Sequence, residues 1–282
     1  MTRRIFAKVT RETLPQVKDR YPFLYLEHGR LEIDDSSIKW IDSEGHVVRI
    51  PCATIHSLLL GPGVAVTHDA IKTLAASNCT VCWVGEDGLL FYAVGQTPNA
   101  DTRNLRYQMR LAADPAKAEQ VARRMYARRF PAAELAGKSI AEMRGMEGFR
   151  VRALYGEMGK KYGVGWKGRS YEPGKFEVSD VTNQYLTAAN AALYGILSAA
   201  IHSMGYSPHI GFIHSGCPLP FVYDMADLYK ETLCVDLAFA LTLKNAGKYD
   251  RHLISEEFRK RVVDMDLLGI IGNDIQAMLK DA

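Results

Sequence analysis

The sequence predicts an α+β protein in which a small N-terminal β-sheet domain precedes a larger, all-α helical domain. Two observations support this fold class. Apolar and polar residues alternate through the first third of the chain, whereas the periodicity is helical from Leu105 onward. Between them lies the turn-rich segment "GQTPNADTRN". We therefore assign residues 1–95 to the β-rich domain, 96–104 to a linker and 105–282 to the helical domain.

Short antiparallel strands are predicted in "FLYLEHGRLEIDDSSIKWIDSEGHVVRIPCATIHSLLLG", where alternating residues lie between Gly, Asp and Ser turn signals. A short helix over about 67–77 precedes a strand with Cys79 and Cys82. Their spacing also occurs in zinc and redox sites, but strand alternation points the two side chains to opposite faces, which favours core packing. Five cysteines without disulfide-like spacing fit a reducing compartment.

Six helices are predicted after the linker, over about 103–113, 115–130, 146–162, 180–205, 220–245 and 255–271. The most apolar of them contains "YLTAANAALYGILSAAI". Its threonine, asparagine and serine indicate a buried core helix rather than a membrane span. The N-terminal "MTRRIFAKVTRETLPQ" has no apolar run behind it, so we expect no signal peptide and a cytoplasmic protein.

Positive charge is concentrated in one segment. The whole chain has a formal net charge of +3, yet residues 103–172 hold sixteen Lys and Arg against seven Asp and Glu. This asymmetry indicates an anionic partner. Lys117, Arg124 and Arg128 recur at helical spacing and form a basic stripe, which fits either phosphate contacts or an ordinary solvated helix face.

The stretch "GFIHSGCPLPFVYDMADLYK" combines a histidine with two acids. A helix that begins near Pro220 places Asp224 and Asp227 three residues apart on one face, where they repel each other unless a cation lies between them. His214 could supply a nitrogen ligand to that cation. Alternatively, the acids are solvated and the histidine is simply hydrogen-bonded.

A third acid, Glu147, lies in "MRGMEGFRVRALYGEMGKKYG", and we place it at the beginning of a helix between two glycines. If Glu147, His214 and Asp227 converge, one imidazole and two carboxylates surround a metal and leave positions open for water and phosphate. Such a site suits phosphodiester chemistry.

The segments "RGMEGFRVR", "KYGVGWKGRSYEPG", "DVTNQYLTAANAALYG", "WVGEDGLLFYAVGQ" and "GYSPHIGFIHSGCPLPFVYDMADLYK" resemble the CRISPR-associated spacer-acquisition integrases (the "Cas-one" family), in particular the Cascade-type E subtype. The resemblance covers nearly the whole chain. It implies an N-terminal domain that dimerises and a catalytic helical domain with a Mg²⁺ or Mn²⁺ site. In this family pattern Glu147, His214 and Asp227 are the metal ligands, and Asp224 is a further catalytic acid, either a direct ligand or a neighbour of one.

The implied reaction is DNA integration by transesterification, in which the 3'-hydroxyl of a prespacer attacks a phosphodiester of the repeat array. The same site would nick branched DNA, so the protein would also be an endonuclease. The implied partners are duplex DNA with single-stranded 3' ends, the repeat array and a small ferredoxin-like protein ("Cas-two") flanked by two homodimers. Two other functions stay open: a DNA-binding scaffold whose acids are structural, and a general nuclease of branched DNA.

Candidate DNA contacts extend beyond the basic stripe. "KYGVGWKGRSYEPGKF" interleaves aromatic and basic residues, which either bind nucleotides or form a connector whose aromatic side chains pack inward. Tyr194 and Tyr223 either correspond to tyrosines near the active centre of the family that the chain resembles or belong to the core. His28 lies where a relative has a tyrosine wedge. The predicted DNA-binding residues are Arg124, Arg128, Lys167, Arg169, Tyr194 and Tyr223.

Overall fold

A computed structural model of the protein describes residues 21–34, 37–85, 91–95, 102–170 and 179–280. Strands occupy the N-terminal part and helices the remainder, so the predicted α+β class is confirmed. The strands are β1 (Tyr21–Leu26), β2 (Gly29–Asp34), β3 (Ser37–Asp42), β4 (Val47–Ile50), β5 (Ile55–Leu60), β6 (Val64–Val66), β7 (Thr80–Val84) and β8 (Phe91–Gly95). Most of the predicted linker, residues 96–101, lies outside the described residues.

The strands form two four-stranded sheets, with the orders β1-β5-β7-β8 and β4-β3-β2-β6. The antiparallel pairing expected over residues 23–61 holds for β2–β3 and β3–β4 but is wrong for β1–β5, which pair in parallel. Outside that stretch, β5–β7 and β2–β6 also pair in parallel, and β7–β8 pair antiparallel. Parallel neighbours require a long connection, and here helix α1 (His68–Ala76) lies between β6 and β7 in the chain.

Helix α1 packs with both sheets around a small core. Leu31, Ile38, Leu58 and Leu74 are all buried there. Cys79 belongs to this core, whereas Cys82 lies in a separate cluster with Leu59 and Val84, so the two cysteines occupy opposite faces as predicted. Burial raises the pKa of the Cys82 thiol to about 12, which keeps it protonated and unreactive.

The helices after the linker are α2 (Arg103–Ala113), α3 (Pro115–Ala127), α4 (Ala132–Leu135), α5 (Ile140–Tyr162), α6 (Val181–Ser203), α7 (Pro220–Ala226), α8 (Asp236–Lys244), α9 (Arg251–Asp264) and α10 (Leu267–Leu279). The Asp114 side chain caps α3 by accepting from two backbone amides. Ser139 caps α5 in a reciprocal pair with Glu142. Because of this cap, α5 begins before the predicted start, and Glu147 lies inside the helix rather than at its beginning.

Two predicted helices are interrupted. The segment 220–245 divides into α7, a π-helical turn (Glu231–Val235) and α8. The segment 255–271 divides at Asp266, whose left-handed backbone (φ 50°) separates α9 from α10. Neither break follows a glycine or a proline, which explains why helical periodicity alone does not reveal them.

Helix α6 is the central core helix of the helical region, as predicted from its apolar sequence. Tyr185, Leu186, Ala189 and Leu193 are completely buried in it. The same helix contacts strands β5, β7 and β8. Among the described residues, no helix combines the length and the hydropathy needed to cross a membrane.

Candidate metal centre

The loop before α7 is built around the buried carboxylate of Asp224. Its Oδ2 accepts from the backbone nitrogens of Phe212 (2.6 Å) and Ile213 (3.2 Å), and its Oδ1 accepts from that of His214 (2.8 Å). Nδ1 of the His214 ring also lies 2.8 Å from Oδ1. A neutral imidazole that donates from Nδ1 keeps its lone pair on Nε2. Asp224 therefore fixes both the loop and the ring, and its oxygens are already engaged.

Asp227 lies next to Nε2 of this ring. Its Oδ2 is 3.9 Å from Nε2 of His214, and its Oδ1 is 2.8 Å from Nζ of Lys230. Burial opposes ionisation of Asp227, but the charges of Lys230 and Arg129 outweigh it and hold the pKa of this carboxyl below its usual range. Asp227 is therefore a carboxylate at neutral pH, next to an imidazole nitrogen.

Glu147, on α5, is connected to Asp227 by the side chain of Arg129, which follows α3. Nε of Arg129 lies 3.6 Å from Oε2 of Glu147, and its Nη1 lies 3.2 Å from Oδ2 of Asp227. The Arg129 side chain is only 4% exposed. One buried guanidinium thus connects the two acids that were predicted to be metal ligands.

Sequence reasoning did not single out Arg129, although a signal exists. The buried face of α3 contains Val121, Ala122, Met125 and Tyr126. Arg129 continues this face at helical spacing from Met125 and Tyr126, so it is an arginine in an apolar stripe. The residues of the predicted basic stripe, Lys117, Arg124 and Arg128, lie on the face of α3 next to this one.

Two more arginines of α5 support the acids and the loop. Arg150 lies between Glu147 (Nη2 to Oε1, 3.5 Å) and Glu231 of the π-helical turn (Nη1 to Oε2, 2.7 Å). Arg144 donates from Nη2 to the backbone oxygen of Ile213 at 2.6 Å and so ties α5 to the loop that carries His214. These contacts join three separate elements at one site.

The donor types at this site fit a divalent cation. Nε2 of His214 and the oxygens of Asp227 and Glu147 are ligands that suit Mn²⁺ and, for the oxygens, Mg²⁺. Oε2 of Glu147 is buried and has no hydrogen-bond partner in the part of the chain that the structure describes. Within the described residues, however, no three His, Cys, Asp or Glu side chains already form a cluster that could hold a metal ion. Arg129 lies between the two acids, so ligation requires those oxygens to change partner.

The arginines of the predicted basic stripe contact α10. Arg124 donates from Nη1 to the backbone oxygen of Met278 at 2.9 Å and also to that of Lys280. Nη2 of Arg128 lies 2.8 Å from Oδ1 of Asp274. Both side chains therefore fasten α3 to α10, and their predicted contact with DNA stays untested.

The aromatic residues of the 162–170 segment pack inward. Trp166 stacks on Tyr155 with ring centroids 4.8 Å apart, and Tyr162 donates a hydrogen bond to Asp236 at 2.7 Å. Arg169 donates to the side chains of Asn183 (2.8 Å) and Thr187 (3.0 Å), whereas Lys167 is exposed. The inward-packed alternative is confirmed for these aromatic residues. Tyr171 and Lys175 of the same pattern lie outside the described residues.

Tyr194 and Tyr223 border the acidic site. Their rings meet edge to face with centroids 5.0 Å apart. The ring of Tyr223 is 6.0 Å from that of His214, and Nζ of Lys230 lies 5.2 Å from the centroid of Tyr194. The two tyrosines therefore form one wall of the site.

Comparison with known proteins gives consistent matches over most of the chain. The family model described as "CRISPR associated protein Cas1" matches residues 23–134 and 126–265. The chain is 66% identical to the CRISPR-associated endonuclease Cas1 2 of Chlorobaculum tepidum, over 98% of this chain and 93% of that protein. It is 40% identical to the CRISPR-associated endonuclease Cas1 of Escherichia coli, over 84% of this chain and 78% of that protein.

Among solved structures, the chain is similar to that of a TtCas1–DNA complex. The TM-score is 0.74 at 38% sequence identity, and the match covers 95% of this chain and all of that one (100%). Fold, sequence and family model thus agree. The chain belongs to the Cas1 family of CRISPR-associated proteins.

Proposed function

We propose that this protein is a divalent-metal-dependent DNA endonuclease and integrase of CRISPR adaptation. Its membership of the Cas1 family and the endonuclease names of its relatives support this activity. The observation that carries the proposal is the meeting of three donors from distant segments. Nε2 of His214 lies 3.9 Å from Oδ2 of Asp227, and Glu147 shares the guanidinium of Arg129 with the same carboxylate.

In this proposal Glu147, His214 and Asp227 hold Mg²⁺ or Mn²⁺. The bound ion supplies Lewis acidity, which polarises a phosphoryl oxygen and lowers the pKa of the attacking hydroxyl. The imidazole favours Mn²⁺ by donor type, whereas the abundance of Mg²⁺ in cells favours the latter.

The chain's own side chains position these donors. Asp224 holds the His214 ring so that Nε2 faces Asp227, and is therefore a positioning residue rather than a ligand. Lys230 holds the other oxygen of Asp227 at 2.8 Å. Tyr194 and Tyr223 would lie beside a DNA strand that enters the site, where their rings offer surfaces for stacking.

The reaction exchanges one phosphodiester for another. The 3'-hydroxyl of the prespacer gives up its proton and its oxygen forms a bond to phosphorus, while the bond from phosphorus to the 3'-oxygen of the attacked strand breaks. That oxygen leaves and takes up a proton, so no nucleoside triphosphate is consumed. With water in place of the 3'-hydroxyl, the same displacement cuts the strand, which gives the endonuclease activity.

The proposed partners are duplex DNA with single-stranded 3' ends, the repeat array and the small ferredoxin-like "Cas-two" protein, flanked by two homodimers of this chain. The excess of Lys and Arg over residues 103–172 supports an anionic partner. DNA affinity should therefore fall steeply as the salt concentration rises.

An integration assay tests the proposal. Purified protein, the candidate small partner, Mn²⁺, a forked prespacer and a plasmid with the repeat are combined, and strand-transfer products are compared between wild type, His214→Ala and Asp227→Ala. His252→Ala is the matched control, because His252 is exposed on α9. DNA binding by each variant is measured in parallel.

We expect both site variants to lose the products while they retain DNA binding, and His252→Ala to behave as wild type. Unchanged products in both site variants would instead support the scaffold function. Cleavage of branched DNA without the small partner, together with no integration, would support the general nuclease.

A further inference from the structure

The guanidinium of Arg129 is buried without the hydrogen bonds that such a group normally makes. Its side chain is 4% exposed, and none of its three nitrogens has a hydrogen-bond partner among the described residues. Its neighbours are the carboxylates of Glu147 and Asp227 and the ring of Tyr126, whose centroid is 5.1 Å from Cζ. A buried charge held in this way depends on its ionic neighbours.

The two oxygens of each acid face different cations. Glu147 presents Oε1 to Arg150 at 3.5 Å and Oε2 to Arg129 at 3.6 Å. Asp227 presents Oδ1 to Lys230 at 2.8 Å and Oδ2 to Arg129 at 3.2 Å. Arg129 therefore takes one oxygen from each acid, and Arg150 and Lys230 take the others.

The oxygens that face Arg129 are also those available to a metal. Oδ2 is the atom of Asp227 that lies 3.9 Å from Nε2 of His214, and no described residue forms a hydrogen bond with Oε2 of Glu147. A cation bound by Nε2, Oδ2 and Oε2 would thus compete with the guanidinium for the same two oxygens. Without either cation, only Arg150 and Lys230 would offset the charges of the two acids, and the two facing oxygens would repel each other in a poorly solvated place.

We propose that Arg129 is a built-in counter-cation, which holds Glu147 and Asp227 in place before the metal binds and yields their two facing oxygens to it. The proposal rests on the metal site of the proposed function. Arg129 is then a positioning residue with two opposite effects: it stabilises the metal-free fold, and it sets how much metal the site requires. Removal of the Arg129 charge should therefore lower the stability of the metal-free protein and strengthen metal binding.

The test uses the full-length protein without DNA. Thermal unfolding is measured in EDTA and in Mn²⁺, and Mn²⁺ binding is measured from the electron paramagnetic resonance signal of the free ion. The variants are Arg129→Met, Arg129→Lys, Glu147→Gln and the double variant Arg129→Met/Glu147→Gln. Arg128→Met is the matched control, because Arg128 is the adjacent arginine but pairs with Asp274 instead.

We expect Arg129→Met to unfold at a lower temperature than wild type in EDTA and to bind Mn²⁺ roughly 10-fold more tightly, since one competing charge is gone. Arg129→Lys should stay close to wild type in both measurements. The double variant should regain stability in EDTA relative to Arg129→Met, although Glu147→Gln alone should destabilise the protein that retains Arg129. Arg128→Met should change neither the Mn²⁺ affinity nor the difference between EDTA and Mn²⁺.

Equal or weaker Mn²⁺ binding by Arg129→Met would overturn the proposal. If Arg129→Met does not fold, the double variant tests the proposal, because it lacks the charge of Glu147 as well. A double variant that also does not fold in EDTA would show that repulsion between Glu147 and Asp227 is not the cause. A wild-type protein that binds no Mn²⁺ would instead refute the metal site of the proposed function. In that case the EDTA measurements would still show whether Arg129 and Glu147 stabilise each other, but competition between Arg129 and a metal would be ruled out.

Discussion

Oδ1 of Asp224 lies 2.8 Å from both the backbone nitrogen and the ring Nδ1 of His214. A single carboxylate oxygen therefore sets the path of the loop and the orientation of the ring that it carries. The geometry of the site depends on this one residue, which has no exposed surface.

Replacing Asp224 by asparagine should damage both functions of the carboxylate. The amide nitrogen of asparagine would face at least one N–H donor, because both oxygens of Asp224 accept from backbone nitrogens. We expect Asp224→Asn to lower the free energy of unfolding by about 2–3 kcal/mol and to weaken Mn²⁺ binding roughly 10- to 100-fold. Chemical denaturation and Mn²⁺ titration measure the two effects. Asp264→Asn, at an exposed position of α9, should change neither.

Gly211 should not tolerate a side chain. A Cβ at this position would lie 2.7 Å from Cβ of Pro220 and 2.8 Å from the backbone oxygen of His214. We expect Gly211→Ala to cost about 1–3 kcal/mol of stability through overpacking and to weaken Mn²⁺ binding, because the loop must move away from α7. Gly145→Ala is the contrasting variant: no atom of the described residues lies within 4 Å of its Cβ, and it should gain up to about 1 kcal/mol from helix propensity. Equal unfolding midpoints for the two variants would refute this steric argument.

Arg169 and Lys167 should differ in role: Arg169 anchors its segment to Asn183, whereas Lys167 is exposed and free to bind DNA. Asn183 is buried and accepts from Arg169 Nη1 (2.8 Å) and from the backbone nitrogen of Ser170 (3.0 Å). We expect Asn183→Ala to cost about 2–3 kcal/mol, since it leaves these donors unpaired, and Arg169→Ala to destabilise the same segment. Lys167→Ala should leave stability within about 0.5 kcal/mol of wild type while it weakens DNA binding. Urea denaturation and a DNA-binding titration distinguish the two roles, and a stability loss in Lys167→Ala would contradict the assignment.

His202, in the last turn of α6, should make the protein sensitive to acid. Burial lowers the pKa of this imidazole to about 4, with a smaller contribution from His209. Its pKa in the unfolded chain is near 6.5, so the unfolded state takes up a proton first, and stability falls as the pH drops from about 6.5 to about 4. We expect His202→Gln to reduce the loss between pH 7.5 and pH 5 by about 1–2 kcal/mol.

Thermal unfolding of wild type and His202→Gln at the two pH values isolates this contribution from that of other groups. His252→Gln, at an exposed position of α9, serves as the control. An identical loss in all three proteins would exclude His202 as the cause.

Local signals in the sequence predicted much of the fold. Helix α3 begins at Pro115 as predicted, since the capping Asp114 carboxylate and the fixed φ of proline act within one turn of the chain. The opposite faces of Cys79 and Cys82 follow from strand alternation in the same local way. The parallel pairing of β1, β5 and β7 was not predicted, because it depends on connections far apart in the chain.

In the candidate site, too, local features could be predicted from the sequence and contacts between distant segments could not. Glu147, His214, Asp224 and Asp227 were predicted as site residues from residue type, spacing and motif. The engagement of Asp224 and the burial of Arg129 depend on which elements face each other after folding, and no spacing within one segment encodes that. The helix break at Asp266 was not predicted either. Aspartate adopts the left-handed backbone only occasionally, so the residue type alone does not mark the break.

The side chains of this site come from four separate places: the end of α3, the second turn of α5, the loop before α7, and the end of α7. A growing chain on the ribosome therefore carries Arg129 and Glu147 long before Asp227 and Lys230 emerge. Until the last of these segments docks, no more than part of the donor set exists, and the proposed nuclease activity cannot arise. The order of synthesis would thus protect the cell's own DNA from incomplete copies of the enzyme.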